Sequence, residues 1–322
     1  MADALRQVVE HFFHTKTACH PQKVLLALSG GPDSLALFYL LLDYCRRWPQ
    51  RLSLAVAHVD HCWRPVSGAE AAVLCQLADS CGLPYHSCAL APEQMSGNKE
   101  ALCRQLRLEF FHDICHQYGY AAVILGHHAD DQAETVIKRL CEGSHLDELA
   151  AMTAVSRYGE LKLWRPLLCC RKKQLVEWLT HRNIIAFDDV TNRDERFLRS
   201  RLRGELLPTL SHSFGKQIHI PLCRLAKEAE QLDNYLTETL APYLQGAQKG
   251  PWGTALDLTE ISLQPFLEYH LIRRFCLCCH LPLSRSALSG AAELLGRGGG
   301  GQEFFLWQRL SCYRPPPPLC LT

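Results

Sequence analysis

Apolar residues in the first half of the chain follow two alternating spacings, which predict strands and helices in turn. Continuous apolar runs, typical of buried strands, occupy residues 24–28, 52–59, 83–88, 121–125 and 161–164. Between these runs, the pattern predicts helices over residues 35–44, 69–81, 98–118, 131–141 and 172–181. Strands that alternate with helices predict an α/β domain, with a parallel sheet covered by helices on both faces.

The last third of the chain has a different pattern. Residues 221–245 form an amphipathic stripe typical of one long helix, and two more helices are predicted within 256–295. Glycines at 250 and 253 mark a break between the long helix and these two helices. We therefore expect a larger domain over residues 1–215, a linker helix within 216–250 and a smaller, mainly helical domain over 251–322.

The turn between the first strand and the first of these helices has an unusual composition. It reads Ser29-Gly30-Gly31-Pro32-Asp33-Ser34. Adjacent glycines let the backbone approach a ligand closely, and the amides of a helix N-terminus attract anions. The turn is therefore predicted to bind phosphate, although it lacks the lysine of a Walker loop. The alternative is a plain connection in which Ser29 or Asp33 caps the helix.

A second polar cluster lies at the end of the strand at 52–59. His58, Asp60 and His61 fit either a metal site or the wall of a nucleotide pocket. We favour the pocket because the further ligands that a stable metal site needs are not evident. A polar loop that enters the next helix is the simplest alternative.

Glu100, Arg104 and Arg107 share one face of a predicted helix, at positions i, i+4 and i+7. Taken alone, this pattern indicates a solvated face with salt bridges. If the face points into the site, the Arg107 guanidinium is suited to stabilise phosphate charge.

The strand at 121–125 is followed by two histidines and two aspartates, His127, His128, Asp130 and Asp131. Glu134 lies on the same helix face as Asp131. A helix cap with an acid three residues later would explain only one aspartate and Glu134. An aspartate here and Asp33 opposite are suited to bridge Mg²⁺ to phosphates.

Composition narrows the class of protein. The 322 residues are 48% hydrophobic and 21% charged, with a formal net charge of +1, so overall charge does not indicate a nucleic-acid partner. Seventeen cysteines without a regular framework are expected to be mostly core residues of a cytoplasmic protein. We expect no signal peptide and no membrane span. Monomer and homodimer are equally compatible with the sequence.

The 29–34 turn resembles the PP-loop of N-type ATP pyrophosphatases, which cleave ATP to AMP and pyrophosphate. The combination of motifs, in order over about residues 23–210, is similar to that of tRNA(Ile)-lysidine synthetases. It comprises His58-x-Asp60-His61-x-x-Arg64, Arg104-x-x-Arg107, Gly126-His-His-x-Asp-Asp-Gln-x-Glu-Thr135, Arg165-Pro-Leu-Leu168 and Asp189-Val-Thr-Asn192 with the following arginine-rich stretch. Ser200, where asparagine is usual, and Cys103, where a small residue is common, depart from the pattern.

The resemblance implies an adenine nucleotide alpha hydrolase-like (Rossmann-like) fold and a specific reaction. Lysine is joined to C2 of the wobble cytidine (position 34) in the isoleucine tRNA with a CAU anticodon, through an adenylated tRNA. The expected cofactors are ATP and Mg²⁺, and free L-lysine is the second substrate.

The resemblance also implies roles for individual residues. Catalytic roles fall on Asp33, Arg107, His127 and Asp131. ATP is expected to contact Ser29, Gly30, Gly31, Pro32, Asp33, Ser34 and His58. Mg²⁺ would bind Asp33 and Asp131, and the lysine ammonium would bind Asp131 and Glu134. The motifs do not decide which residue transfers a proton.

Residues 193–203 contain five arginines, a composition that suits contact with a phosphate backbone. We expect Arg199, Arg201 and Arg203 to contact tRNA; salt bridges within the protein are the alternative. The C-terminal block resembles, more weakly, the small tRNA-binding domain of the same family. The chain is expected to lack the additional C-terminal domain of the longest members.

Other functions are weighed against this one. A PP-loop tRNA thiolase would need reactive cysteines. One thiolase subfamily has a C-x-x-C motif at this point of the chain; Cys103 could be its second cysteine, but Glu100 occupies the position of the first. A small-molecule amidating synthetase would not need the arginine-rich stretch, and a non-enzymatic nucleotide-binding module would need no acid at both 33 and 131. Residues 296–301 and the Cys276–Cys279 spacing are interpreted as a flexible turn and buried helix residues.

Overall fold

The computed structural model describes residues 2–16, 21–63, 66–90, 99–187, 198–250, 253–257, 263–281 and 283–296. The chain divides into two compact units, Met1–Glu230 and Gln231–Thr322. The boundary between them lies within the helix predicted as the linker.

The first unit is built on a six-stranded sheet with strand order β3-β2-β1-β4-β6-β5. The strands are β1 (Gln22–Ala27), β2 (Leu52–Asp60), β3 (Tyr85–Ala89), β4 (Ala122–Ile124), β5 (Val155–Tyr158) and β6 (Leu161–Trp164). All neighbours pair in parallel except β5, which pairs antiparallel with β6. The predicted α/β fold is confirmed, and β5 is an addition at the sheet edge.

Six helices accompany these strands in the first unit. They are α1 (Ala2–Lys16), α2 (Pro32–Arg47), α3 (Ser67–Ser80), α4 (Lys99–Tyr118), α5 (Ala129–Cys141) and α6 (Lys172–Thr180). Of these, α1 was not predicted. It buries Leu5, Val9 and Phe13, and the Phe13 ring stacks on Tyr44 of α2 at 4.7 Å between centroids.

Both faces of the sheet are covered, which explains why its central strands are continuous apolar runs. On one face, Val24 and Leu26 of β1 join a core formed with α1, α2, α3 and α6. On the other face, Leu25 packs with Phe111 and Leu108 of α4. Successive side chains of β1 therefore enter opposite cores.

The first unit continues beyond α6 into helical segments. These are α7 (Leu198–Arg201), a π-helical turn (Leu202–Leu206), α8 (Leu207–Ser213) and the first half of α9 (His219–Gln245). That half of α9 packs against α5 through Leu222 and Ala226, which contact Ala133 and Val136.

The second unit contains the rest of α9, a hairpin of β7 (Gln248–Gly250) and β8 (Gly253–Ala255), and helices α10 (Pro265–Cys278) and α11 (Arg285–Gly296). Leu236 and Leu240 of α9 form a core with Leu271 of α10. Cys276 is buried beside Ile272 and Leu288. The predictions for residues 297–322, including most of the glycine-rich turn, fall outside the described residues.

The cysteines are less buried than predicted. Fourteen are described, all as free thiols, and only Cys103, Cys115, Cys170 and Cys276 are fully buried. Among the described helices, none combines the length and the apolar character needed to cross a membrane.

Candidate active site

The 29–34 turn is held in one conformation by its own hydroxyl groups. Ser34 Oγ donates to the Gly31 carbonyl at 3.0 Å and lies 3.1 Å from Ser29 Oγ, and the Ser29 amide donates to Ser34 Oγ at 3.2 Å. Gly31 caps α2, and Pro32 fills its first turn, where no amide hydrogen is needed. The N-terminus of α2 is therefore directed at the end of β1, as a phosphate site requires.

Two glycines permit close backbone approaches at this turn. Gly30 has φ +82°, and a Cβ on it would lie 2.2 Å from the ring of Phe187. A Cβ on Gly126, in the loop after β4, would lie 3.2 Å from backbone atoms of Asp33 and Ser34. The loop after β4 is therefore packed directly on the start of α2.

A first cavity of about 340 Å³ opens beyond the carboxyl ends of β1, β2 and β4. Its lining includes Ser29, Asp33, His58, Arg107, His127 and Asp131. The buried His58 donates from Nδ1 to the Leu28 carbonyl at 2.8 Å. Asp60 instead braces its own loop, accepting from the Cys62 amide at 2.7 Å and from the Ser67 hydroxyl at 3.1 Å.

Arg107 and His127 bring contrasting groups to the first cavity. Arg107 Nε is buried without a hydrogen-bond partner, and no carboxylate of a described residue forms an ion pair with this guanidinium. Burial lowers the pKa of Arg107, and Arg104 and Arg199 add to the effect. Burial and the nearby arginines also lower the pKa of His127 to about 3, so His127 is neutral.

Asp33 and Asp131 converge on His128, the N-cap of α5. Their Oδ2 atoms lie 3.5 and 3.4 Å from His128 Nε2, and the His128 side chain is 1% exposed. α5 begins with a capping box, but it uses His128 and Asp131 rather than the acidic cap with Glu134 that was the alternative interpretation. Burial opposes ionisation of Asp33, but His128, Lys172 and Arg203 outweigh it and lower the pKa of this carboxyl.

A second cavity of about 290 Å³ is also lined by the two aspartates. Asp33, Asp131, Ser29 and Gly31 line both cavities, and the second is completed by Pro32, Lys172, Phe187, Arg199, Ser200 and Arg203. The two cavities therefore meet at the PP-loop and at the predicted metal ligands.

Arg203 holds both acids predicted to bind lysine. Its Nε and Nη2 donate to the two oxygens of Glu134 at 2.6 and 3.1 Å, and Nη2 also contacts Asp131 Oδ1 at 3.1 Å. Glu134 is 1% exposed. Burial disfavours the charged form of Arg203, but Glu134, Asp131 and Asp33 outweigh it and raise its pKa.

The adjacent Asp130 has a different role from Asp131. It accepts from Arg171 Nε at 3.0 and 3.1 Å and from the Lys172 amide at 2.8 Å. These bonds join the N-termini of α5 and α6. Lys172 is thereby placed with its Nζ 3.8 Å from Asp33 Oδ2.

The predicted site residues mostly come together. In the PP-loop, Ser29, Gly31, Asp33 and Ser34 line the first cavity, Pro32 lines only the second and Gly30 lines neither. The first cavity is also lined by His58, Arg107, His127 and Asp131, and the second by Arg199 and Arg203. Glu134 reaches the second cavity through Arg203. Arg201 is exposed and lines neither cavity. The predicted site residues did not include His128 and Arg165, which are buried, or Lys172, which lines the second cavity.

The acids fit a magnesium ion that is completed by phosphate. Asp33 Oδ1 is buried without a hydrogen-bond partner, and the carboxylates of Asp33 and Asp131 lie close together because both approach His128 Nε2. No group of three or more metal-binding side chains occurs among the described residues. Mg²⁺ commonly binds one or two carboxylates together with substrate phosphates, so this donor set suits it.

Comparisons with known proteins agree with this geometry. The PP-loop domain family matches residues 1–210. A tRNA(Ile)-lysidine synthase of Protochlamydia amoebophila is 41% identical over 275 residues, which cover 85% of this chain and 60% of that protein. The tRNA(Ile)-lysidine synthase of Chlamydia muridarum is 40% identical over 279 residues, which cover 86% of this chain and 85% of that protein.

Among solved structures, the U34-tRNA thiolase NcsA of Methanococcus maripaludis has a TM-score of 0.59 and 18% identity. The similarity covers 71% of this chain and 79% of the thiolase, and it concerns the fold alone. The sequence relatives, rather than this structure, identify the family. The similarity to the Chlamydia muridarum protein, for example, extends along most of both chains. The chain belongs to the tRNA(Ile)-lysidine synthase family.

Proposed function

We propose that this protein joins lysine to C2 of the wobble cytidine in the isoleucine tRNA with a CAU anticodon, and consumes ATP with release of pyrophosphate and AMP. The observation that carries the proposal is the junction of the two cavities. The turn proposed to bind phosphate contributes Asp33, and the pair of acids that holds the Arg203 cation contributes Asp131. Both aspartates line both cavities.

The first cavity suits ATP. Its volume falls in the range of small-molecule sites, and Ser29, Gly31, Asp33 and Ser34 of the 29–34 turn line it. Asp33 and Asp131 would hold Mg²⁺, which when bound withdraws charge from the phosphate oxygens. Arg107, which has no carboxylate partner among the described residues, is free to stabilise charge on the phosphate chain.

The second cavity suits lysine and the tRNA. The Arg203 guanidinium shows that Asp131 and Glu134 bind a cation, and we assign that position to the ammonium of the incoming lysine. Arg199 and Lys172 add positive charge to the same cavity, which favours an RNA phosphate or base edge. The cytosine must leave its stack to reach this position.

The fourteen free thiols fit a reducing compartment, and we place the reaction in the cytoplasm. The thiols themselves do not favour the runner-up function, a tRNA thiolase. Cys103 is 2% exposed. Cys62 is the only cysteine among the described residues lining the two cavities, and desolvation and Asp60 raise its pKa. A reactive cysteine needs the opposite shift.

The test uses the full chain with ATP, Mg²⁺, radiolabelled lysine and a transcript of the isoleucine tRNA. Label is expected in the tRNA, together with AMP and pyrophosphate. The matched control transcript carries uridine at the wobble position and should accept no label. ATP–pyrophosphate exchange that depends on the transcript but yields no lysine incorporation would refute the proposal and favour another acceptor chemistry.

A further inference from the structure

A buried arginine beside the first cavity has no ionic partner. Arg165 follows β6 directly and is 6% exposed. No carboxylate of a described residue forms an ion pair with it, and burial lowers its pKa to about 10. A buried, unpaired charge is costly, so its position calls for a reason other than stability.

The hydrogen bonds of Arg165 fix its position against β5 and the loop before it. Its Nη1 donates to the Thr153 carbonyl at 2.9 Å and to Ser156 Oγ at 2.8 Å. Its own amide donates to the Ala154 carbonyl at 2.8 Å. The guanidinium is therefore held by the antiparallel edge strand that the alternating pattern did not predict.

A further donor of Arg165, its Nε, reaches His127 in the loop after β4. Because β4 and β6 are parallel neighbours, with Ile124 opposite Trp164, the loops that follow them lie side by side. Arg165 Nε donates to His127 Nδ1 at 3.3 Å. An arginine keeps all its protons in proteins, so His127 Nδ1 must be the acceptor and must carry none.

We propose that Arg165 is a positioning residue that holds His127 in one neutral tautomer, with its proton on Nε2. His127 then presents a hydrogen-bond donor, rather than a proton acceptor, to ligands in the first cavity. The inference rests on the proposed function only for its catalytic meaning. In that reaction His127 donates to negative charge that develops on the reacting groups, and it does not act as the general base.

The charged groups around His127 all favour the neutral ring, and they come from three different elements. Arg165 follows β6, Arg104 and Arg107 belong to α4, and Arg199 belongs to α7. All four disfavour a second proton on the ring. Arg165 is the one whose Nε also selects the tautomer.

The experiment reads the His127 ring directly. The ¹⁵N shifts of both ring nitrogens are recorded on the whole chain without substrates, and the His127 signals are assigned by their loss in His127→Gln. We expect a bare Nδ1 and a protonated Nε2 between about pH 5 and pH 8. A proton on Nδ1, or a doubly protonated ring in this range, would overturn the inference without any variant of Arg165.

Variants then separate the hydrogen bond from the charge. Arg165→Gln is expected to raise the pKa of His127 only in part, because burial and the other three arginines remain. It is also expected to release the tautomer and to lower kcat for lysine transfer by about tenfold to a hundredfold, with the KM for ATP unchanged. Arg165→Lys keeps the charge without the guanidinium Nε–H, so the pKa of His127 should stay low while the tautomer and kcat are not restored. Full recovery of kcat in Arg165→Lys would refute the tautomer role.

Arg157→Gln is the matched control, because Arg157 is an exposed arginine of the same edge strand and should leave the ring signals and kcat unchanged. The ring spectrum separates this inference from the proposed function. A single Nε2–H tautomer in a protein that transfers no lysine would reject the proposed reaction and keep the role of Arg165. A mixture of tautomers in a protein that does transfer lysine would reject the role of Arg165 and keep the proposed reaction.

Discussion

Arg203 and Glu134 form a two-point contact, with guanidinium Nε and Nη2 on the two oxygens of a carboxylate that is 1% exposed. The same guanidinium contacts Asp131 Oδ1. The cation subsite proposed for lysine is thus filled by a side chain of the protein in this structure. Lysine must therefore share this subsite with Arg203 or replace it.

Glu134→Gln should weaken lysine binding more than ATP binding. The neutral amide loses the charge that holds an ammonium, and it also weakens the contact with Arg203. We expect the KM for lysine to rise at least about tenfold while the KM for ATP stays close to that of the wild type. Glu142→Gln, an exposed acid at the end of α5, is the control. Equal changes in both KM values would contradict the assignment.

The neighbours Asp130 and Asp131 should respond differently to the same substitution. Asp130→Asn breaks the contact with Arg171 and should lower the free energy of unfolding by about 1–3 kcal/mol, with most of kcat retained. Asp131→Asn keeps an oxygen for the helix cap but removes a charge from the metal site.

For Asp131→Asn we expect a modest loss of stability, because one amide oxygen cannot serve both the helix cap and Arg203. We also expect a large loss of kcat and a higher Mg²⁺ concentration for half-maximal rate. Urea unfolding and Mg²⁺ titration of lysine transfer distinguish the two variants. An active Asp131→Asn with unchanged Mg²⁺ dependence would exclude Asp131 as a metal ligand.

Gly30→Ala should disable the phosphate turn through two separate effects. The positive φ costs an alanine about 1–2 kcal/mol, and the added Cβ would overlap the Phe187 ring. Gly119→Ala is the matched control, because Gly119 also has a positive φ, +71°, but a Cβ there meets nothing within 4 Å.

A larger loss of stability and of ATP affinity in Gly30→Ala than in Gly119→Ala is expected from urea unfolding and nucleotide binding. Combining Gly30→Ala with Phe187→Ala should recover part of the difference. Equal losses in the two single variants would show that the Phe187 contact is unimportant.

The low pKa of His127 makes folding sensitive to acid. An unfolded histidine titrates near 6.5, whereas burial and the arginines around it hold the folded His127 near 3. Between these values the unfolded chain binds a proton that the folded chain does not, so the free energy of unfolding falls as the pH falls below 6.5.

His127→Gln removes this contribution. Its free energy of unfolding should fall less than that of the wild type between about pH 8 and pH 5, as measured by urea unfolding. His112→Gln, an exposed histidine of α4, should behave as the wild type. Parallel losses in the wild type and His127→Gln would show that His127 is not held neutral.

The sequence predicted the sheet because its central strands are buried on both faces and so appear as uninterrupted apolar runs. The edge strand β5 was missed for the converse reason: three of its four residues, including Val155 and Tyr158, are exposed. Helix α1 carried a readable signal, since Leu5, Val9 and Phe12 have helical spacing.

The site was predicted as a set of residue types but not as a set of partners. Local sequence cannot show that Asp130 pairs with Arg171, 41 residues away, while Asp131 faces the cavity. Nor can it show that Arg203, which was predicted to contact tRNA, instead contacts Glu134, 69 residues away in the sequence. These pairings depend on how α5, α6 and the π-helical turn pack, which is a tertiary property.

The contact between Gly126 and the start of α2 has a consequence for how the metal ligands are spaced. Asp33 and Asp131 belong to separate helices, yet the loop that leads to α5 rests on main-chain atoms of Asp33 and Ser34. A single methyl group at position 126 would push these two loops apart and change the carboxylate separation without altering either acid. The backbone contact at Gly126 therefore helps to set the distance between the two carboxylates, and it depends on the absence of a side chain at position 126.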